Sequence, residues 1–205
     1  MRRFTTTNNG SRNHRGARWL KPTLAALGAL LLVPLATGEP AGADAAAGES
    51  VRIHVSSTSG GSVDGIGFAD EDIIVYDTST DTWSMFFDGS DVGVAGTDLN
   101  GFHIVDPDAA LTTILLTFQS ARSLPGLGSV DDSDIVAFTP TALGTTTSGD
   151  YSLFLDGSTV GLTTNGEHVD AIGRTADGRI LISTTGSPGV PRTGGGTLSA
   201  RDEDL

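Results

Sequence analysis

Beyond residue 50 the chain is a series of short runs of Ile, Val, Leu, Phe, Tyr and Thr, bounded by Gly, Asp, Asn, Ser or Pro. Runs of this length and composition mark β-strands, and none keeps the 3.6-residue apolar spacing of a helix. Eight strands are predicted: Asp72 to Tyr76, Trp83 to Phe87, Leu99 to Val105, Ile114 to Phe118, Asp134 to Phe138, Tyr151 to Leu155, Val169 to Gly173 and Arg179 to Ser183. Between the last two, Thr175-Ala176-Asp177-Gly178-Arg179 reads as a tight hairpin, because Asp-Gly tolerates the positive φ such turns need. Ile74, Phe86, Val136 and Phe154 are expected in the core. Trp83 and Tyr151 are expected to pack between sheets rather than to form a sugar-stacking surface.

The runs repeat. Trp83 to Val94 returns as Tyr151 to Leu162, with seven of twelve positions identical at an offset of 68. Asp70-Glu71-Asp72-Ile73-Ile74-Val75-Tyr76 matches Asp132-Ser133-Asp134-Ile135-Val136-Ala137-Phe138 at an offset of 62, and Asp202-Glu203-Asp204-Leu205 begins a third copy. A third block occurs as Val51 to Ser57, Ile114 to Ser120 and Ile180 to Gly186. Repeat units of about 70–131 and 132–201 follow, with partial units at both ends. Four strands at this period fit a propeller blade. In that scheme Val51 to Ser57 is the last strand of a blade whose start is missing. The predicted fold is therefore all-β: antiparallel four-stranded β-repeats of β-propeller-blade type, about two units, with the ring incomplete. Two units cannot close a ring of at least four blades. Three outcomes stay open: a homo-oligomer that completes the ring, a compact two-sheet sandwich, or a truncated product of a longer gene.

Charge divides the chain. Arg2, Arg3, Arg12, Arg15, Arg18 and Lys21 precede a thirteen-residue apolar run, Leu24 to Ala36, and an Ala-rich exit. That order is the signature of a secretory signal peptide, taken as residues 1–47 with cleavage after Ala47. The run is shorter than the roughly 20 residues that span a bilayer, so no stable membrane insertion is expected after cleavage. The protein is expected to be secreted or periplasmic. The whole chain has a formal charge of −13. Its leader carries six bases and two acids, so the domain at 48–205 holds six Arg, no Lys and 23 acids, for a charge of −17. Such a balance argues against nucleic acid as a partner. The absence of Cys excludes disulfides, thiolate metal sites and a thiol nucleophile.

The blocks Phe87 to Gly93, Leu155 to Gly161, Asp70 to Ile73, Asp132 to Ile135 and Asp202 to Leu205 resemble the F-D-G-S-D-V-G and D-x-D-[ILV] blocks of secreted bacterial propeller-type β-repeat proteins. The resemblance covers nearly the whole exported chain and implies architecture and export, without an established activity. The second copy has Thr159 where the first has Asp91, so a site using that carboxylate would be weaker there.

Asp70, Asp72, Asp88, Asp91, Asp132, Asp134 and Asp156 are the candidate metal ligands, and Ca²⁺, which takes six to eight oxygens, is the candidate cofactor. None of these loops matches the EF-hand or the nonapeptide calcium repeat. Their alternative role is to close turns through side-chain to backbone hydrogen bonds. No Ser sits in G-x-S-x-G, and His54, His103 and His168 are scattered, without zinc spacing. The expected function is that of an exported, non-catalytic, acidic binding or surface-interaction module whose partner is an extracellular ligand or protein. The alternatives are a metal-dependent secreted hydrolase or lyase of propeller type and a truncated gene remnant.

Overall fold

The computed structural model describes residues 50–164 and 166–201. The expected signal peptide and its cleavage point, and the third D-x-D block, Asp202 to Leu205, lie outside the described residues. In chain order the strands are β1 (Arg52–Val55), β2 (Gly61–Val63), β3 (Ile66–Phe68), β4 (Ile73–Asp77) and β5 (Thr82–Phe87). Next come β6 (Leu99–Ile104), β7 (Ile114–Phe118), β8 (Arg122–Leu124), β9 (Gly128–Val130), β10 (Ile135–Ala142) and β11 (Ser148–Leu155). The last are β12 (Val169–Arg174), β13 (Ile180–Thr184), β14 (Gly189–Pro191) and β15 (Thr197–Ser199). Beyond these strands, the regular elements described are two short 3-10 turns, Ser90–Val92 and Gly157–Val160. The fold is all-β, and every pairing between named strands is antiparallel.

Three larger sheets follow one another along the chain. The first has the order β1-β4-β5, the second β6-β7-β10-β11 and the third β12-β13. The hairpins β2-β3, β8-β9 and β14-β15 stand at the same place in each, after the strand of the third sequence block and before the D-x-D position. Sheet and sequence unit are out of phase. The four strands grouped by the unit at 70–131 are β4, β5, β6 and β7, and hydrogen bonding divides them between two sheets. β1 is not a leftover strand, because it pairs with β4, Val55 opposite Ile74. The physical reason lies in the connections. The Asp-Gly-Ser turn after β5 carries the chain away to the next sheet, whereas the stretch from β7 to β10 folds into its own small hairpin and returns to the same sheet. Among the described residues the sheets close neither a barrel nor a ring.

Alternation along β7 shows how the middle sheet is held. All five of its residues are buried. Ile114 and Leu116 join one core with Ile73, Phe87, Phe138 and Tyr151, while Leu115 joins a second with Ile135, Leu162, Val169 and Ile172. Period-two geometry sends neighbouring residues to opposite faces, so a strand covered on both sides reads as a continuous apolar run. In the first core the Phe87 and Phe138 rings meet edge-on at 5.2 Å, and Phe138 lies 5.1 Å from Tyr151. Ile74, Val136 and Tyr151 are buried as expected, and Trp83 and Phe86 are half-buried. Phe154 departs from expectation at 48% exposed. It lies on β11, the edge of the middle sheet, on the side where the third sheet is only two strands wide.

The hairpin between β12 and β13 forms as predicted, with one difference. Only Gly178 adopts a positive φ, 87°, and the Thr175 N–H donates to the Arg179 carbonyl at 2.9 Å. The two-residue turn with both angles positive is instead Asp64-Gly65, at 48° and 82°, between β2 and β3.

Truncating Phe138 to Ala should cost about 3–5 kcal/mol in urea unfolding, the usual penalty for emptying an aromatic core site. Truncating Phe154, on the uncovered face, should cost less than about 1 kcal/mol.

Candidate functional site

Five of the seven candidate Asp side chains accept backbone N–H groups at turns, and Asp72 lies near enough to Asp70 and Asp88, and Asp134 to Asp156, for the charges to repel. Asp72 and Asp134, the last acids of the two D-x-D blocks, are buried at 6% and 9% exposure. Asp72 Oδ2 accepts from the Ala69 N–H at 2.8 Å and Oδ1 from the Gly89 N–H at 2.9 Å. Asp134 does the same with Asp131 and Gly157, both at 3.0 Å. Each carboxylate thus closes its own turn and grips the Asp-Gly-Ser turn at the far end of the next strand. The Gly is required on steric grounds: a Cβ at Gly89 would lie 2.5 Å from the Glu71 carbonyl, and one at Gly157 would lie 2.5 Å from that of Ser133. Burial pushes both carboxyls above the usual Asp value, against the downward pull of the two N–H donors.

Asp88 and Asp156 cap the turns they begin. Each Oδ1 accepts from a Ser N–H and hydroxyl two residues on, at 3.2 and 2.7 Å for Ser90 and at 3.0 and 2.6 Å for Ser158. Asp91 reaches the next sheet, where its Oδ2 accepts from the Thr147 N–H at 2.9 Å. The Thr147 hydroxyl accepts from the Asp88 N–H at 2.9 Å, and the Gly144 N–H donates to the Phe86 carbonyl at 2.9 Å. These bonds lock the first sheet to the turn between β10 and β11.

Asp70 and Asp132 show where the copies diverge. Their carbonyls accept equivalent bonds, from the Leu99 N–H at 3.2 Å and the Val169 N–H at 3.1 Å. The side chain before that donor strand is His168 in one copy, its Nε2 2.9 Å from Asp132 Oδ2. In the other it is Asp98, whose Oδ1 is buried with no hydrogen-bond partner. Burial, and then the neighbouring Asp70, raise the Asp98 carboxyl above its usual value. Glu71, 5% exposed, is raised by burial and by its hydrogen bond with Asp70. Among the described residues, no group of three or more His, Asp or Glu side chains is arranged to hold a metal ion.

A recess is found elsewhere, along β6 and the β12-β13 hairpin. A cleft of about 670 Å³ is lined by His103, Val105, Pro107, Arg174 and Thr175. An adjoining one of about 230 Å³ shares Val105 and Arg174 and adds Leu115, Phe154 and Ile180 as an apolar floor. Burial, and then Arg174, lower the His103 pKa, so this imidazole is neutral at pH 7. Three other Arg side chains are engaged: Arg52 with Asp77 at 3.7 Å, Arg179 with Asp177 at 2.9 Å, and Arg122 with the Gly93 and Val94 carbonyls and the Phe118 ring. Arg174 has no such partner among the described residues and faces the cleft. Its site was not legible as a motif, because β6 and β12 belong to different sequence units.

No known protein family, curated protein or solved structure matches the chain. Among the described residues, no helix is long and apolar enough to cross a membrane.

Asp134→Ala leaves two amide donors unmet and should lower stability by about 1–3 kcal/mol in urea unfolding, more than Asp156→Ala at its exposed turn. Asp98→Asn should act oppositely at neutral pH. A carboxyl raised in the folded state contributes stability in full below its unfolded pKa, and that contribution is lost as pH rises through the folded value. Asp98→Asn should therefore melt higher than the parent chain at pH 7, with the gain gone below about pH 4, where Asp98 is protonated in both states.

Proposed function

We propose that the chain is an exported, non-catalytic β-repeat module of propeller-blade type whose ligand surface is the cleft between β6 and the β12-β13 hairpin. One observation carries the reading: an unpaired guanidinium, Arg174, beside a neutral imidazole and over an apolar floor, in a strongly acidic chain. A planar guanidinium pairs bidentately with carboxylate-like groups, and Phe154 offers a ring face. The ligand class is thus a small organic monoanion with an apolar or aromatic body. A polyanion is disfavoured by repulsion from the rest of the surface. The sequence has no G-x-S-x-G motif and the described residues hold no metal cluster, which favours binding over hydrolysis.

The test is fluorescence titration with 8-anilinonaphthalene-1-sulfonate, an aromatic monoanion. Arg174→Ala should weaken binding by about tenfold or more, the usual loss of a charge-assisted bond, and Phe154→Ala should weaken it as well. Arg192→Ala, on the turn between β14 and β15, should leave binding unchanged. Equal binding by the parent chain and Arg174→Ala contradicts the reading. Ca²⁺ at the Asp-rich turns has its own test, because a ligand bound only by the folded chain raises its melting midpoint. With Asp72, Asp88, Asp91, Asp134 and Asp156 already accepting backbone N–H groups, no shift is expected at millimolar Ca²⁺; a rise of several degrees would assign a calcium site.

A further inference from the structure

The two sheet junctions are related by the repeat, and among the described residues only the first is filled. At the first, the cross-strand pair Phe138 and Tyr151 on β10-β11 packs into a socket whose centre is Phe87. The second has the equivalent socket: Leu155 stands where Phe87 stands, joined by Val160, Ile180, Ile182 and Val190. There a largely apolar groove of about 400 Å³ stays open, because the third sheet contains β12 and β13 alone among the described residues. The first sheet carries the matching knob. Tyr76 and Trp83 are a cross-strand pair on β4-β5, their rings 5.2 Å apart, at the repeat positions of Phe138 and Tyr151. Unlike that pair they are only half-buried.

We propose that the groove and the β13 edge receive the β4-β5 strand pair of a second copy of this chain, with β13 taking the place of that copy's β1. The faces match, although the pairing sets β1 two residues out of step with the third-block alignment. On β10, Val136 and Phe138 face Leu116 and Ile114 of β7; on β4, Ile74 and Tyr76 face Val55 and Ile53 of β1. Ile182 and Ile180 of β13 are the residues that repeat Leu116 and Ile114. β1 is the replaceable member, since it spans four residues and leaves Ile53 47% exposed. The product is a sheet of order β12-β13-β4-β5, the composition of the middle sheet. Knob and socket are different surfaces of one chain, so the contact is heterologous and joins copies head to tail. Thr159 stands where Asp91 makes its lock to Thr147, so the new junction lacks that bond and should dissociate on dilution. The contact uses neither Arg174 nor His103 but shares Ile180 with the floor of the ligand cleft, so Arg174→Ala, which leaves the socket intact, separates the two readings.

The test is light scattering coupled to size exclusion on the full chain and two variants. Val190→Arg blocks the socket and keeps the knob; Trp83→Ala removes the knob and keeps the socket. The parent chain should exceed monomer mass at about 1 mM and fall to monomer mass on hundredfold dilution. Each variant alone should be monomeric, and their equimolar mixture should give a species of twice the monomer mass. Where Val190→Arg loses its far-UV dichroism, Thr159→Arg at the exposed rim of the groove replaces it. A parent chain that stays monomeric throughout overturns the proposal. So does a mixture that stays monomeric while the parent associates, which would point to a symmetric contact or another surface.

Discussion

A buried carboxylate holds each repeat together. Asp72 and Asp134 sit where the chain enters the middle strand of a sheet, and each hands one oxygen to the turn before that strand and the other to the Gly N–H beyond the following strand. A neutral side chain of this size could not satisfy both donors with two acceptor oxygens. The cost is desolvation, visible in carboxyls raised above their usual value, and the two hydrogen bonds offset it. The clamp also explains why the D-x-D and Asp-Gly-Ser blocks occur together: one supplies the acceptor, the other a donor on a residue without a Cβ.

Around this common clamp the copies differ where they meet their neighbours. Asp91 ties the first sheet to Thr147 of the second, and Thr159 at the repeated position makes only a local bond, to the Asp156 carbonyl. His168 Nε2 lies 2.9 Å from Asp132 Oδ2, whereas Asp98, with an unmet oxygen, lies near the like charge of Asp70. The middle sheet is therefore sealed on one face and left with an open groove on the other. The same opening that exposes Phe154 shapes the cleft beside Arg174.

Much of this was legible from residue order, for local reasons. Strand positions follow from alternation and from turn residues, and β7 falls on Ile114–Phe118 as its apolar run predicts. Turn closure by Asp and Ser was an available reading for Asp88 and Asp156, since the bonded partners lie two residues away. The phase of the sheets was not legible, because β6 chooses between β5 and β7 by tertiary packing. The three small hairpins are too short for alternation to mark them, although Gly61-Ser62-Val63 and Gly128-Ser129-Val130 repeat one another and Asp64-Gly65 is a strong turn signal. Arg174 and His103 come from separate repeats and share no spacing, so only the fold brings them to one recess.

Native-state hydrogen exchange at the Gly89 and Gly157 amides reads the clamp most directly. Both N–H groups belong to turns, where exchange is ordinarily fast, and both donate to a buried carboxylate. If the clamp organises each repeat, these two amides should exchange as slowly as those of Leu115 and Val136 in the core strands. Exchange at the rate of the exposed Ser90 and Ser158 amides would contradict it.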